Sequence, residues 1–290
     1  MAGLLSGLEV FGLKGMDNVN DIYDGEKKEE EQKKAEVEKD PVQIEQDMLF
    51  EKSFTCPICD IDFKSKTVRI GKAKLLKTDL DLRPKYENVD MLKYDVILCP
   101  HCGYAALSRY FKFITSPQAR LIKENISPNF KHIKEKGVIY THEEALSRYK
   151  LTLANAIVKK AKPSEKAYIC LKTAWLLRGA AESLKKDEPD YEQKKAELTK
   201  EEDEFLRNAL EGFLTARQTE GYPMCGMDET TVDYLIAVLA MRFEQFDISS
   251  KLIAGILVSH TATPRMKDKA RDVKEMLVKQ IKANQAKKGK

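Results

Sequence analysis

The sequence predicts an α+β protein, mostly α, with a small zinc-ribbon-like β domain followed by a TPR-like antiparallel helical-repeat domain. Three observations carry that prediction. Two Cys-Pro-x-Cys knuckles, Cys56 with Cys59 and Cys99 with Cys102, bracket strand-like sequence. From about Thr141 onward, apolar side chains recur at three- and four-residue intervals, the period of an amphipathic helix. Charge is partitioned: residues 1–50 hold 13 acidic and 6 basic side chains, whereas residues 51–140 hold 17 basic and 10 acidic.

Residues 1–48 read as an acidic, largely disordered segment that opens with a short apolar helix. Leu4, Leu5, Leu8 and Phe11 suit one helical face, a candidate for docking on a partner or a membrane surface. The absence of flanking Lys and Arg weakens the membrane version. The run "EKKEEEQKKAEVEKD" has no apolar pattern to bury, and Pro41 marks its end.

Residues 49–140 read as the zinc-ribbon-like domain. "KTVRIGKAKLL" and "YDVILCP" are rich in Val, Ile and Leu and predict short strands, with "DLDLRPKYENVD" as a turn-rich connection. Residues 141–285 read as the helical domain. "EEALSRYKLTLANAIVKKA" and "EKAYICLKTAWLLRGAAESL" predict two helices separated by Pro163, with Ser164 placed to cap the second. A long helix follows, ending near Gly221 and Pro223. Then come "DETTVDYLIAVLAMRFEQ", "DISSKLIAGILVS" and, after Pro264, "RMKDKARDVKEMLVKQIKANQ". Tyr234, Ala237, Phe243, Phe246, Ala254 and Ile256 recur as in a tetratricopeptide helix pair, small residues at crossings and aromatics in the gaps, without a clean internal repeat.

The chain of 290 residues is long enough to bury a core without a covalent staple. It has no run of about 18 apolar residues to span a bilayer, and its N-terminus lacks the basic start and cleavage site of a secretory signal. The expectation is a cytoplasmic protein whose six cysteines stay reduced. Paired cysteines in that setting point to metal or redox chemistry. A thioredoxin-like strand–helix context, which a redox pair needs, is missing at both knuckles. The knuckles are separated by 39 residues, and two such turns can close a tetrahedral shell of four thiolates. Cys56, Cys59, Cys99 and Cys102 are therefore the expected ligands of one structural zinc ion. A closed shell has no open position for hydrolysis, and His101 is expected to point outward. Gly103 supplies the left-handed residue such a turn needs, and Asp60 holds that place in the first knuckle. A ribbon of this size is expected to have little core of its own, so that metal binding supplies its folding energy.

Elsewhere the chemistry is sparse. Cys170 and Cys225 read as inert. There is no phosphate loop, HExxH or GxSxG, and His101, His132, His142 and His260 are scattered. Asp79 and Asp81 read as a solvated turn, Trp175 as buried between helices, and Arg178 as the partner of a nearby acid or the lining of a groove. Lys64, Lys66, Lys72 and Lys74 would share one face of an unbroken strand. With Arg69 they are candidate contacts for nucleic acid or an acidic partner. The lack of interleaved aromatics favours a plain solvated face.

"CPICDIDFKSKTVR", "DLDLRPKY" and "YDVILCPHCGYAA" resemble the DUF2225 family of uncharacterised bacterial proteins. The likeness continues through "AWLLRG", "EFLRNALEGF" and "TVDYLIAVLAMRF" and covers roughly residues 49–280. It implies a zinc-ribbon-like part, with the family's paired cysteines at Cys56, Cys59, Cys99 and Cys102, and a TPR-like helical part. Asp60 departs from the glycine expected there. The resemblance implies no activity. The functional expectation is a non-enzymatic adaptor whose helical groove binds a protein or peptide. The alternatives are nucleic-acid binding through the basic ribbon face and an enzyme with a site between the domains; the oligomeric state is left open.

Overall fold

The computed structural model describes residues 40–131, 137–187 and 189–288. The apolar island and the charged run of the N-terminal segment, like His132, lie outside the described residues. Helix α1 (Pro41–Asp47) begins where the sequence analysis placed only the end of the charged run; it belongs to a separate N-terminal unit.

From Met48 onward the described chain is mostly helical, with small antiparallel strand pairs. β1 (Leu49–Thr55) pairs with β2 (Asp62–Val68), β3 (Leu75–Thr78) with β4 (Pro84–Tyr86), and β5 (Val96–Leu98) with β6 (Ala105–Leu107). β1 carries no alternating signal because only its ends, Leu49 and Phe54, turn inward. "KTVRIGKAKLL" is not one strand. β2 stops at Val68, Gly71 turns the chain with φ 83°, and β3 starts at Leu75. The "DLDLRPKYENVD" connection contains β4 and ends on Asp90, whose carboxylate accepts from the Leu92 N–H (3.0 Å) to cap a 3-10 turn at Met91–Tyr94.

Helix α2 (Ser116–Asn125) was not anticipated; Thr115 and Gln118 form its capping box. α3 (His142–Val158) starts on a second box, in which Thr141 Oγ1 accepts from the Glu144 N–H and Glu144 accepts from the Thr141 N–H. α4 (Pro163–Ser183), α5 (Tyr191–Thr219), α6 (Glu229–Arg242), α7 (Phe246–Val258) and α8 (Pro264–Lys288) follow, each packed on its neighbour in sequence. Ser164 does not cap α4. Its N–H and hydroxyl instead donate to the carboxylate of Glu220, just past the far end of α5, at 2.8 and 2.6 Å. α4 and α5 cross closely at Gly212, where a side chain would stand 2.8 Å from Ala167 Cβ. Leu171, Leu206, Phe213, Tyr234, Ile236 and Val273 fill the interior of this body. Among the described residues, no helix is long and apolar enough to cross a membrane.

The expected solvated turn at Asp79 and Asp81 is instead a buried ionic junction, because helix α4 offers it both donors and cover. Trp175 Nε1 donates to Asp81 at 3.0 Å, and the Arg178 guanidinium donates to both Asp81 oxygens at 3.0 and 2.7 Å. Arg178 also reaches Glu202 on α5 at 2.9 Å. Beside it, Arg83 and Lys85 pair with Glu182 at 3.0 and 2.7 Å. Desolvation, which would raise Glu182, is outweighed by these two cations, and its carboxyl lies below the usual range. Arg178 thus takes the acid-pairing role that its sequence context allowed.

Asp81→Ala would leave the Trp175 indole N–H unpartnered and strip the part-buried Arg178 guanidinium of its bidentate partner, leaving it Glu202 and Asp79. It is expected to cost about 3 kcal/mol in urea unfolding. Asp203→Ala, removing the half-exposed partner of Arg242, should cost less than about 1 kcal/mol.

Candidate metal centre

Both knuckles are the turns of hairpins, and both fold by the same bonds. Cys56 N–H donates to the carbonyl of Ile61 (3.1 Å) and Asp60 N–H returns to Cys56 (2.9 Å). Five-residue and four-residue spans repeat at the second site: Cys99 N–H donates to Tyr104 (2.8 Å) and Gly103 N–H to Cys99 (3.1 Å). Each turn closes only if the residue after the second cysteine is left-handed. Asp60 has φ 58° and Gly103 φ 74°. The Asp60 substitution is thus conformational, and its short polar side chain tolerates that region.

The turns bring the predicted quartet together. The sulfurs of Cys56, Cys59, Cys99 and Cys102 all lie within 4.8 Å of one another, the group of candidate metal ligands found among the described residues. Two pairs run across the knuckles, Cys56 to Cys102 at 3.6 Å and Cys59 to Cys99 at 3.7 Å. A disulfide would bring sulfurs to about 2.05 Å. Thiolates bound tetrahedrally at about 2.3 Å from one ion stand about 3.8 Å apart. The two cross-knuckle distances fit the second case, and all four cysteines are free. The Ile58 N–H points at the Cys56 sulfur from 3.4 Å, the kind of donor that tempers thiolate charge.

Without a cation the four sulfurs must share protons. Hydrogen bonds from Cys102 and Cys56 draw Cys99 down to about 2. Those to Cys56 and Cys99, with burial, drive Cys102 far above the thiol range. At Cys56 the Cys102 bond pulls downward but is outweighed by the bond to Cys99 and by burial, and the group is pushed up to about 12. A divalent cation held by Cys56, Cys59, Cys99 and Cys102 would relieve this competition by stabilising every sulfur as thiolate.

The surroundings correct the expectation of a coreless ribbon. Cys56, Cys99 and Cys102 are buried among Phe54, Ile58, Phe63, Tyr104 and Phe111. Phe54 and Phe63 stack at 6.0 Å, each meets Phe111 edge-on at 5.9 Å, and Tyr104 lies 5.1 Å from Phe111. These aromatics sit near the knuckles in sequence, but only pairing Phe54 with Phe63 across β1 and β2 makes them one cluster. Cys59 is the half-exposed member, and His101 is exposed as expected.

Sequence reasoning missed the link from knuckle to helix. Asn155, fully buried on α3, donates Nδ2 to the Gly103 carbonyl at 3.1 Å. Its only sequence signal is a polar residue inside the apolar stretch "LTLANAIV". Phe130 packs where a Gly103 side chain would go, its ring 2.5 Å from that position.

The basic residues do not converge. Lys64 lies 3.7 Å from Glu51 and Lys74 3.7 Å from Glu87. Lys66 sits over the Tyr140 ring at 4.5 Å, and Arg69 donates to the Leu49 carbonyl at 3.1 Å. Lys72 is exposed in the turn between β2 and β3. Cys170 and Cys225 are buried, and desolvation raises both, Cys170 to about 12.

A family model described as an uncharacterized protein conserved in bacteria, DUF2225, matches residues 49–277. No curated protein and no solved structure matches the chain.

Gly103→Ala meets both the left-handed backbone and the Phe130 ring and should cost about 2 kcal/mol or more. Asp60→Gly should be neutral or stabilising by up to about 1 kcal/mol. Urea unfolding of the metal-loaded protein measures both.

Proposed function

The chain belongs to the DUF2225 family, and from that premise we propose that it is a non-enzymatic, zinc-clamped adaptor whose helical body binds a protein or peptide in the cytoplasm. The single observation that carries the clamp is the cross-knuckle sulfur geometry, 3.6 and 3.7 Å. Four soft thiolates close enough to complete a tetrahedral shell would suit zinc over harder cations. Such a shell is saturated by protein, so the ion would hold structure and leave no position for substrate.

Two knuckles on hairpin turns support the zinc-ribbon-like reading of the β part. Six consecutive helices, α3 to α8, packed on their sequence neighbours, support the TPR-like reading of the rest. In this reading the ion fixes the hairpins, Asn155 and the Asp81 junction fix them to the helices, and the helical faces are left to recognise the partner. The nucleic-acid alternative has less support, since the strand break after Val68 separates Lys72 and Lys74 from Lys64 and Lys66, and most of the five cations have local companions.

Elemental analysis of anaerobically purified protein is expected to return one zinc per chain, and none from the variant with serine at all four positions. Wild-type protein without stoichiometric metal would remove the clamp. On mixed RNA and DNA columns at about 50 mM salt, where phosphate binding is strong, no salt-sensitive retention is expected. Retention abolished by K64E/K72E/K74E would reassign the ribbon face to nucleic acid.

A further inference from the structure

A cleft of about 440 Å³ opens where β1 and β2, the 3-10 turn and the segment after β6 meet. Its size lies within the range of small-molecule sites, roughly 300–1,000 Å³. It exists because the strand pairs do not merge into one sheet, so their junction is left partly unfilled. Its inner walls are apolar: Phe54, Leu92, Ile97 and Phe111 are all buried residues that also line the cleft. Phe113, 76% exposed, continues the wall to the rim.

The charge in this cleft is one-sided in what it offers. Two acids line it: Asp95 is paired within the protein at both oxygens, and Asp90 at one. Asp95 is held by the Ser108 hydroxyl and by the Lys172 ammonium at the base. Asp90 spends one oxygen capping the 3-10 turn; its other oxygen is buried, faces His142 at 3.6 Å without a hydrogen bond, and is not offered to the cleft. Two cations, Lys52 and Lys112, are exposed and line the same cleft, and neither makes an ion pair among the described residues. Lys52 Nζ lies 5.5 Å from the Phe54 ring centre, so its charge is held against the apolar wall. An apolar hollow with two uncompensated ammonium groups matches a ligand with an apolar body and an anionic end. The low-polarity wall strengthens that charge interaction relative to open water.

We propose that this cleft is a binding site for a small organic acid, its apolar body lying against Phe54 and Ile97 and its anionic group reaching Lys52 and Lys112. The site is distinct from the cysteine quartet, although Phe54 and Ile97 belong also to the core around the sulfurs. It needs no chemistry at the metal, and its test leaves the thiols intact.

The probe is 1-anilinonaphthalene-8-sulfonate, an aromatic body with one anionic group, compared with N-phenyl-1-naphthylamine, the same body without it. Both are titrated by fluorescence into metal-loaded full-length protein. The sulfonate is expected to bind saturably, one per chain, and K52E/K112E to weaken it about tenfold, as two reversed surface charges allow. The uncharged probe should change by less than about twofold in that variant, since its binding draws on the wall alone. Thr67→Trp, which places an indole in the cleft from β2, should remove both, with circular dichroism confirming the fold. Non-saturating binding overturns the proposal. So does sulfonate affinity in K52E/K112E within twofold of wild type, or full sulfonate binding by folded Thr67→Trp.

Discussion

Four sulfur atoms held within 4.8 Å of one another, three of them on buried residues, set the terms for the rest of this structure. They cannot all be ionised at that spacing without a cation, nor be moved apart without unmaking two turns. The knuckles are therefore the point at which residues 55–62 and 98–105, far apart in sequence, must meet. Phe54 and Phe63 flank the first turn, and Tyr104 follows the second. Bringing the sulfurs together therefore assembles the aromatic cluster as well. Sulfur placement and apolar packing are coupled, each positioning the other's components.

That coupling reaches the helices by two routes of different chemistry. At one end, a neutral amide, Asn155, grips the backbone of the second knuckle. At the other, the Asp79–Tyr86 loop is tied to α4 and α5 by charge-assisted bonds around Arg178. Buried ionic junctions add little net stability over an apolar equivalent but are costly to break from one side. The junction at Asp81 therefore specifies where the loop lies more than it holds the protein together.

The parts of this fold that were legible in the sequence are those with a local cause. The helices from α3 to α8 announce themselves by period, and the quartet by spacing. Even the left-handed conformation at Asp60 followed from comparing the two knuckles. What stayed hidden depends on partners distant in sequence. β1 has no alternation because only its ends are covered. Asp81 looked like a surface turn because Trp175 and Arg178, which bury it, lie more than 90 positions away. Ser164 looked like a cap because the carboxylate that engages it belongs to Glu220. The lysines looked aligned because the break at Gly71 is a backbone event that composition does not report.

The Ser164–Glu220 contact has a mechanical consequence. α4 and α5 are neighbouring helices, and the carboxylate just beyond the last turn of one grips the first turn of the other. Sliding one helix along the other by a single turn, about 5.4 Å, would break both bonds at once. It would also drive Gly212 off Ala167, where the lack of a side chain lets the two helices approach closely. The pair behaves as a strut of fixed length. A load applied at its outer tip, near Leu184, would be delivered to the opposite loop as tilt, because axial slip is blocked.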